Sequence, residues 1–299
     1  MKKADNQNNW SSFARGYHRA QRALAGISKA WVGCLWALAT VLAGSGTAFG
    51  QDLPDTATPG SAIWTGDSMI IWGGYKGNPP VVVDGGWSLE PVTGVWTELP
   101  TGAPISPRSD QIAIWTGKEM ILWSGDNALG GYFSDGARYD PSSQSWKPIS
   151  STLAPTGRQA ATAVWTGSRM LVYGGFNENL TAPFLADGRQ YDPVADAWSP
   201  ISMVGAPSPR RAHSAVWTGE EMIVWGGFNG ASRLLDGARY NPSNDTWRSI
   251  SIQNTPRPRD YFTAVWTGRE MIVWGGPAMA YSTSVTGRDI ARRTTPGHW

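Results

Sequence analysis

Arg108, Arg158, Arg210 and Arg259 each stand 16 residues before the first position of a glycine-type pair, at Ser124-Gly125, Gly174-Gly175, Gly226-Gly227 and Gly275-Gly276. A guanidinium is a planar fork of donors that matches a carboxylate or sulfate. Four of them at one point of a repeating unit could form a ring for such an anion or for an acidic peptide. The competing use is internal: each arginine pairs with a neighbouring acid such as Asp135, Asp187 or Asp236, or bonds loop carbonyls. Repetition favours that framework role. The corresponding position in the first copy is Ala57.

A catalytic set is hard to assemble from the rest of the chain. The only cysteine is Cys34, and the histidines beyond the first 50 residues are His213 and His298. No phosphate-binding loop, zinc-ligand spacing or nucleophile elbow is present, so neither a cofactor nor a metal is expected.

The elements that position these residues come from a repeat. Trp-Thr-Gly begins at Trp64, Trp115, Trp165, Trp217 and Trp266, at spacings of 51, 50, 52 and 49 residues. A period of this size is one supersecondary unit used again and again. In the most regular copy, His213–Thr218 and Met222–Trp225 read as strands joined by a short turn at Gly219–Glu221. Gly226-Gly227 ends the second strand with a sharp bend or a close approach to another strand. Asp236–Tyr240 is the third strand, Asn241–Asp245 a turn, and the fourth strand begins at Thr246-Trp247. Each unit is therefore a four-stranded antiparallel meander, and the chain is all-β. The tryptophans share three repeated positions, which suits packing between units better than stacking on a sugar.

The paired glycine after an apolar strand, followed by Tyr240 and Trp247 seven apart, resembles the kelch repeat. Gly174, Gly175, Tyr191 and Trp198 repeat the pattern, as do Gly125, Tyr139 and Trp146 with Ser124 in place of one glycine. The first copy has Gly73, Gly74 and Trp96, with Leu89 at the tyrosine position after a one-residue insertion near Gly86. The resemblance, over about residues 57–276, implies a kelch-type β-propeller of four-stranded blades, with four full repeats and a partial fifth. It says little about function, because propellers host enzymes, adhesins and adaptors alike. In kelch adaptors that deliver substrates to ubiquitin ligases, arginines at this point and residues just after the glycine pair line one mouth of the central channel. Carried over by position, that nominates Arg108, Arg158, Arg210 and Arg259 with Tyr75, Asn127, Phe176, Asn177, Phe228 and Asn229 as ligand-binding residues. The post-glycine loops differ in length and sequence, as specificity loops on a repeated scaffold do. The copper oxidases built on a kelch-like propeller need a cysteine joined to tyrosine and two histidine ligands, which this chain cannot supply. A sugar epimerase or mutarotase resembling the bacterial kelch enzymes needs only Arg, Glu and one His, and that activity stays open.

The first 50 residues differ from the rest. Lys2, Lys3, Arg15, Arg19, Arg22 and Lys29 stand against Asp5, and an uncharged apolar stretch then runs from Ala30 to Gly50. This is the layout of a signal peptide, with cleavage expected after Gly50. An uncleaved membrane anchor is the competing reading. Taking six basic residues and one acidic residue from a net charge of +2 leaves −3 over residues 51–299. That balance offers no basic field for nucleic acid.

After Gly276 the pattern dissolves. Residues 277–299 read either as an atypical cap or as a frameshift between Gly276 and Val285. Back-translated Val285–Trp299, read one nucleotide earlier, permits Asp-Gly-Ala-Arg-Tyr-Arg-Pro-Thr-Asn-Asp-Thr-Trp, close to Asp236–Trp247. Kelch propellers usually close with roughly six or seven blades, more than this chain encodes. The sequence thus points to three parts: residues 1–50 as signal peptide, 51–276 as propeller, and 277–299 as a divergent tail. The expected role is an exported, noncatalytic binding protein in the periplasm, at the cell surface or outside. Its partner would be a protein or glycan, with no nucleic acid, and contact with a membrane only through an uncleaved leader. A carbohydrate-modifying enzyme is the alternative, followed by a structural surface protein or a truncated fragment.

Overall fold

A computed structural model describes residues 60–77 and 81–277. The expected leader and tail lie outside the described residues.

The first sheet is built from β1 (Ser61–Trp64), β2 (Met69–Trp72), β5 (Gly86–Glu90) and β6 (Val95–Glu98), with β3 (Tyr75–Lys76) and β4 (Val81–Val82) as a two-stranded ribbon between β2 and β5. The second comprises β7 (Ile112–Trp115), β8 (Met120–Trp123), β9 (Gly136–Asp140) and β10 (Ser145–Pro148). The third comprises β11 (Thr162–Trp165), β12 (Met170–Phe176), β13 (Phe184–Asp192) and β14 (Ala197–Pro200). The fourth comprises β15 (Ser214–Trp217), β16 (Met222–Trp225), β17 (Gly237–Asn241) and β18 (Thr246–Ser249). A hairpin of β19 (Thr263–Trp266) and β20 (Met271–Trp274) follows. These are the four full units and half unit that the repeat predicts. The third strand of the fourth unit is shifted one residue from the expected Asp236–Tyr240, because Asn241 still pairs with Thr246.

The Trp-Thr-Gly motif is the turn between the first two strands of each unit. Thr218 Oγ1 accepts the backbone N–H of Glu221 at 2.9 Å, and Thr65, Thr116, Thr166 and Thr267 accept in the same way at 2.8–3.0 Å. The following glycine takes a left-handed φ in all five copies, which a residue without Cβ adopts at little cost. A hydroxyl acceptor and an unhindered backbone thus fix the hairpin before any packing begins.

The four sheets stack face on face, as their strand patterns require. In β8, Met120 and Leu122 pack with Ile63, Ile70 and Trp72 of the first sheet, while Ile121 and Trp123 pack with Met170, Val172, Tyr191 and Trp198 of the third. A strand buried on both faces reads as a continuous apolar run, which is what Met-Ile-Leu-Trp is. The fourth-strand tryptophans seal each seam. Trp123 and Trp198 meet with ring centroids 5.3 Å apart, and Tyr173 and Trp247 at 5.1 Å. Each indole N–H also reaches across to the preceding unit: Trp146 donates to the Pro100 carbonyl, Trp198 to that of Ser150 and Trp247 to that of Ser202, at 2.7–3.0 Å. The repeated tryptophans are interblade packing, as expected.

The first strands of successive sheets touch in order, β1 with β7, β7 with β11, β11 with β15 and β15 with β19. This is the arrangement of blades about an axis, with first strands innermost. The loops after each glycine pair therefore emerge on one face.

Candidate functional site

The arginines belong to the walls. Arg108, Arg158, Arg210 and Arg259 are buried to within a few per cent, and their donors are committed to the fold. Arg158 makes a fork with Asp187 at 2.7 and 2.9 Å, while its Nε donates to the Thr156 carbonyl and Nη1 to that of Gly174. Arg108 pairs likewise with Asp135, and Arg210 with Asp236. Arg259 donates to the carbonyls of Arg257 and Gly275. The arginine carbonyls serve as well: they accept N–H bonds from Gly74, Gly125, Gly175 and Gly227 of the preceding unit at 2.8–3.0 Å. Each arginine therefore braces its own glycine pair and latches the preceding blade. An open ring of guanidinium groups is not what the structure builds, because every guanidinium faces inward.

The glycine pairs explain the latch. Gly227 has φ +99°, and a Cβ there would lie 2.7 Å from the Arg211 carbonyl oxygen. In the second unit Ser124 takes the first glycine's place at φ +66°. Its hydroxyl donates to the Phe133 carbonyl and accepts the Arg158 N–H, both at 2.8 Å, partners that hold an unfavourable backbone conformation. In the third unit β12 runs through Gly174-Gly175 as a bulge instead of ending before it.

The nominated loop residues divide. Asn127, Asn177 and Asn229 are loop builders: each side-chain oxygen accepts the N–H of the residue two positions on, at 2.9–3.0 Å, and Asn177 also donates to the Gly157 carbonyl. Phe176 and Phe228 flank Phe184, with centroids 5.1 and 5.9 Å away, and the Arg211 guanidinium carbon lies 4.5 Å from the Phe176 centroid. This is an internal cation–π cluster. Tyr75, in contrast, lines an open cleft.

That cleft, of about 330 Å³, is bounded by Tyr75, Ser109, Asp110, Asp126, Tyr132 and Gln159, with Ala128, Gly130 and Glu178 completing it. It draws on the post-glycine loops of the first three units. The second and third loops are tied together: Asn179 Nδ2 donates to the Gly130 carbonyl at 2.7 Å, and Gln159 Nε2 to the Tyr132 hydroxyl at 3.2 Å. Asp126 pairs with Ser109 and Tyr132 through single bridges. Its Oδ1 accepts the Ala128 N–H at 2.7 Å. Asp110 has φ +52°, and Ala160, Ala212 and Tyr261 occupy the same point of the next units with the same left-handed backbone. The turn conformation belongs to the repeat, and the aspartate to one blade.

The electrostatics of the cleft are acidic. Desolvation, and then the Asp126 charge, hold the Asp110 carboxyl above the usual carboxylate range. Burial raises Asp126 too; the Ala128 N–H and Ser109 hydroxyl oppose that shift and Glu178 adds to it. Burial also raises the Tyr132 phenol and that of Tyr261, where Arg211 opposes the shift and Asp110, Asp260 and Tyr75 reinforce it. Among the described residues, no three His, Cys, Asp or Glu side chains converge as a metal site.

Sequence reasoning placed Asp126 and Glu178 in the variable post-glycine loops without nominating them, and did not single out Asp110, Tyr132 or Gln159. The available clue was divergence: at the position after the arginine by two, the units read Asp, Ala, Ala and Tyr. His213 lies elsewhere, buried at the third seam with Nε2 2.7 Å from Thr162 Oγ1. Burial, with Arg210 beside it, lowers its pKa to about 3. It is a neutral core residue and does not line the cleft.

A family model described as the KLHDC2/KLHL20/DRC7 Kelch-repeats domain matches residues 60–276. No curated protein matches the chain significantly.

Proposed function

Since this chain belongs to the kelch-repeat family, with a match that spans every described blade, we propose that it is a noncatalytic interaction module whose ligand docks at the cleft between the first three post-glycine loops. The observation that carries this reading is a division of labour within one repeat. The recurring arginines, second-strand methionines and third-strand tyrosines are buried in seams and latches, whereas Tyr75, Asp110, Asp126, Tyr132 and Glu178 vary between units and meet in one open cleft. Variable loops on a rigid repeated scaffold are where recognition resides.

The chemistry of the cleft favours a protein ligand that presents a basic side chain. Carboxylates at Asp110, Asp126 and Glu178 accept hydrogen bonds from an ammonium or guanidinium group, and two phenol rings offer faces for the attached alkyl stem. This replaces the acidic ligand that a ring of free arginines would select. With His213 neutral and buried at a seam, no observation favours the epimerase alternative. Export follows from the expected leader and is part of the proposal.

Selection of a displayed random peptide library on the immobilised protein tests the reading. Enrichment of Lys- or Arg-bearing peptides that Asp126→Asn/Glu178→Gln fails to retain is the expected result. Enrichment of acidic peptides, or signal confined to a glycan array, would overturn it.

A further inference from the structure

The hairpin of β19 and β20 is half a sheet. In each of the four full sheets a third strand pairs with the outer edge of the second, whereas among the described residues β20 pairs with β19 alone. An open edge presents a row of backbone donors and acceptors to whatever can pair with it. β20 is correspondingly exposed: Trp274 is 62% exposed, and Trp72, Trp123 and Trp225 at the same position are at most 4% exposed. The bend that leads to a third strand is nevertheless in place. Gly275 and Gly276 have left-handed φ like the earlier pairs. Arg259 Nη1 donates to the Gly275 carbonyl at 2.9 Å, as Arg158 does to Gly174 and Arg210 to Gly226.

A third strand in this fold meets three conditions. Its first residue is glycine, because a Cβ on Gly86, Gly136, Gly188 or Gly237 would lie within 3.0 Å of the second-strand carbonyl oxygen of Ile71, Leu122, Val172 or Val224. That glycine stands 12, 11, 13 and 10 residues after Gly74, Gly125, Gly175 and Gly227. Three residues later comes a large apolar side chain, Leu89, Tyr139, Tyr191 or Tyr240, opposite the second-strand methionine. The three tyrosines pack on the preceding unit. The chain beyond the hairpin meets all three conditions. Gly287 stands 11 residues after Gly276, and Ile290 three residues after Gly287. Between them, Arg288 matches Arg189 of the third unit, and Asp289 matches the polar Ser88, Arg138, Gln190 and Arg239. Thr286 departs from Asp135 and Asp236 in its side chain and keeps the carbonyl that those residues offer to the Ser124 and Gly226 N–H at 3.1 Å.

We propose that residues 287–291 add to the open edge of β20 as the third strand of a fifth sheet, with Gly287 opposite Trp274, Asp289 opposite Ile272 and Ile290 opposite Met271. The register is the one that all four full sheets use, Trp123 with Gly136 and Met120 with Tyr139 in the second, Trp225 with Gly237 and Met222 with Tyr240 in the fourth. Directly opposed residues share a face of the sheet. Ile290 therefore joins Met271 and Val273 in covering Val216, Ile223 and Trp225 of the fourth unit. The occupant of the edge is the chain's own continuation, which withholds that edge from pairing with other chains.

The test is a disulfide placed by register in the full chain, in a Cys34→Ser background. Directly opposed residues of an antiparallel pair have Cα atoms about 4.5–5.5 Å apart, within disulfide reach. Ile272→Cys with Asp289→Cys is expected to oxidise within one chain, as read by peptide mass mapping. Ile272→Cys with Arg288→Cys places the second thiol on the opposite face and is expected to oxidise about tenfold more slowly or worse. Equal rates for the two pairs would overturn the proposal. So would disulfides formed only between chains, which would give the edge to a second copy. Thermal unfolding supplies an independent reading: Gly287→Val and Ile290→Lys are each expected to lower Tm by about 3 °C or more. A Tm unchanged in both variants would overturn the proposal and leave residues 287–291 outside the blade.

Discussion

At the scale of single residues, a buried charge whose hydrogen bonds end on its own unit identifies framework. Arg210 is fully buried, while its partner Asp236 keeps half its side chain in solvent. Arg210→Met leaves that carboxylate hydrated and deprives the Ser208, Gly226 and Asp236 carbonyls of their donor. The expected loss of stability is about 2–4 kcal/mol, governed by the unsatisfied carbonyls more than by the ion pair. Urea unfolding measures it. His213 makes the pH dependence readable. Below pH 6.5 the unfolded chain binds a proton that the folded imidazole refuses until about pH 3, so stability falls as pH drops through that window. Asp110 and Asp126 act with opposite sign: their raised carboxyls take protons first in the folded state, so acidification just above the usual value of 3.8 adds stability. His213→Gln is expected to flatten the decline between pH 6.5 and about 4, as read by thermal unfolding across pH.

At the scale of the element, the turns and the glycine latch determine the blade. Gly219 and Gly227 both have positive φ, yet a Cβ at Gly219 meets nothing within 4 Å and one at Gly227 meets the Arg211 carbonyl and His213. Gly219→Ala therefore carries only the backbone strain of the left-handed region, roughly 1 kcal/mol. Gly227→Ala adds a clash at the seam, and its Tm is expected to fall further by several degrees. Most of the element pattern was legible from the chain. Trp-Thr-Gly announced each hairpin, and the Tyr–Trp spacing announced the outer strands, because the turn recurs five times and the ring pair three times. The site was less legible for the same reason. Repetition drew attention to the arginines, whose recurrence reflects the shared latch, and away from Asp110, whose counterparts are Ala160, Ala212 and Tyr261. Which loop folds toward which neighbour depends on contacts such as Asn179 with Gly130, and no periodicity encodes those.

At the scale of the whole molecule, the blades behave as a stack of near-identical seams with two unlike ends and one differentiated loop face. Stability is expected to be carried by nearest-neighbour seams, so a cleft substitution should leave the fold intact while a latch substitution should not. Asp126→Asn/Glu178→Gln removes two charges that face the cleft and keeps the shape of both side chains. Raised carboxyl pKa values also imply that a cationic ligand competes with protons there, so its affinity should fall as the cleft acids protonate. The most direct measurement is the affinity of a selected Lys- or Arg-bearing peptide for the wild type and for this double variant, with thermal unfolding of both recorded alongside. The account predicts at least a tenfold loss of affinity, about 1.4 kcal/mol, with an unchanged Tm. Equal affinities in two equally stable proteins would contradict it and move the binding surface away from the cleft.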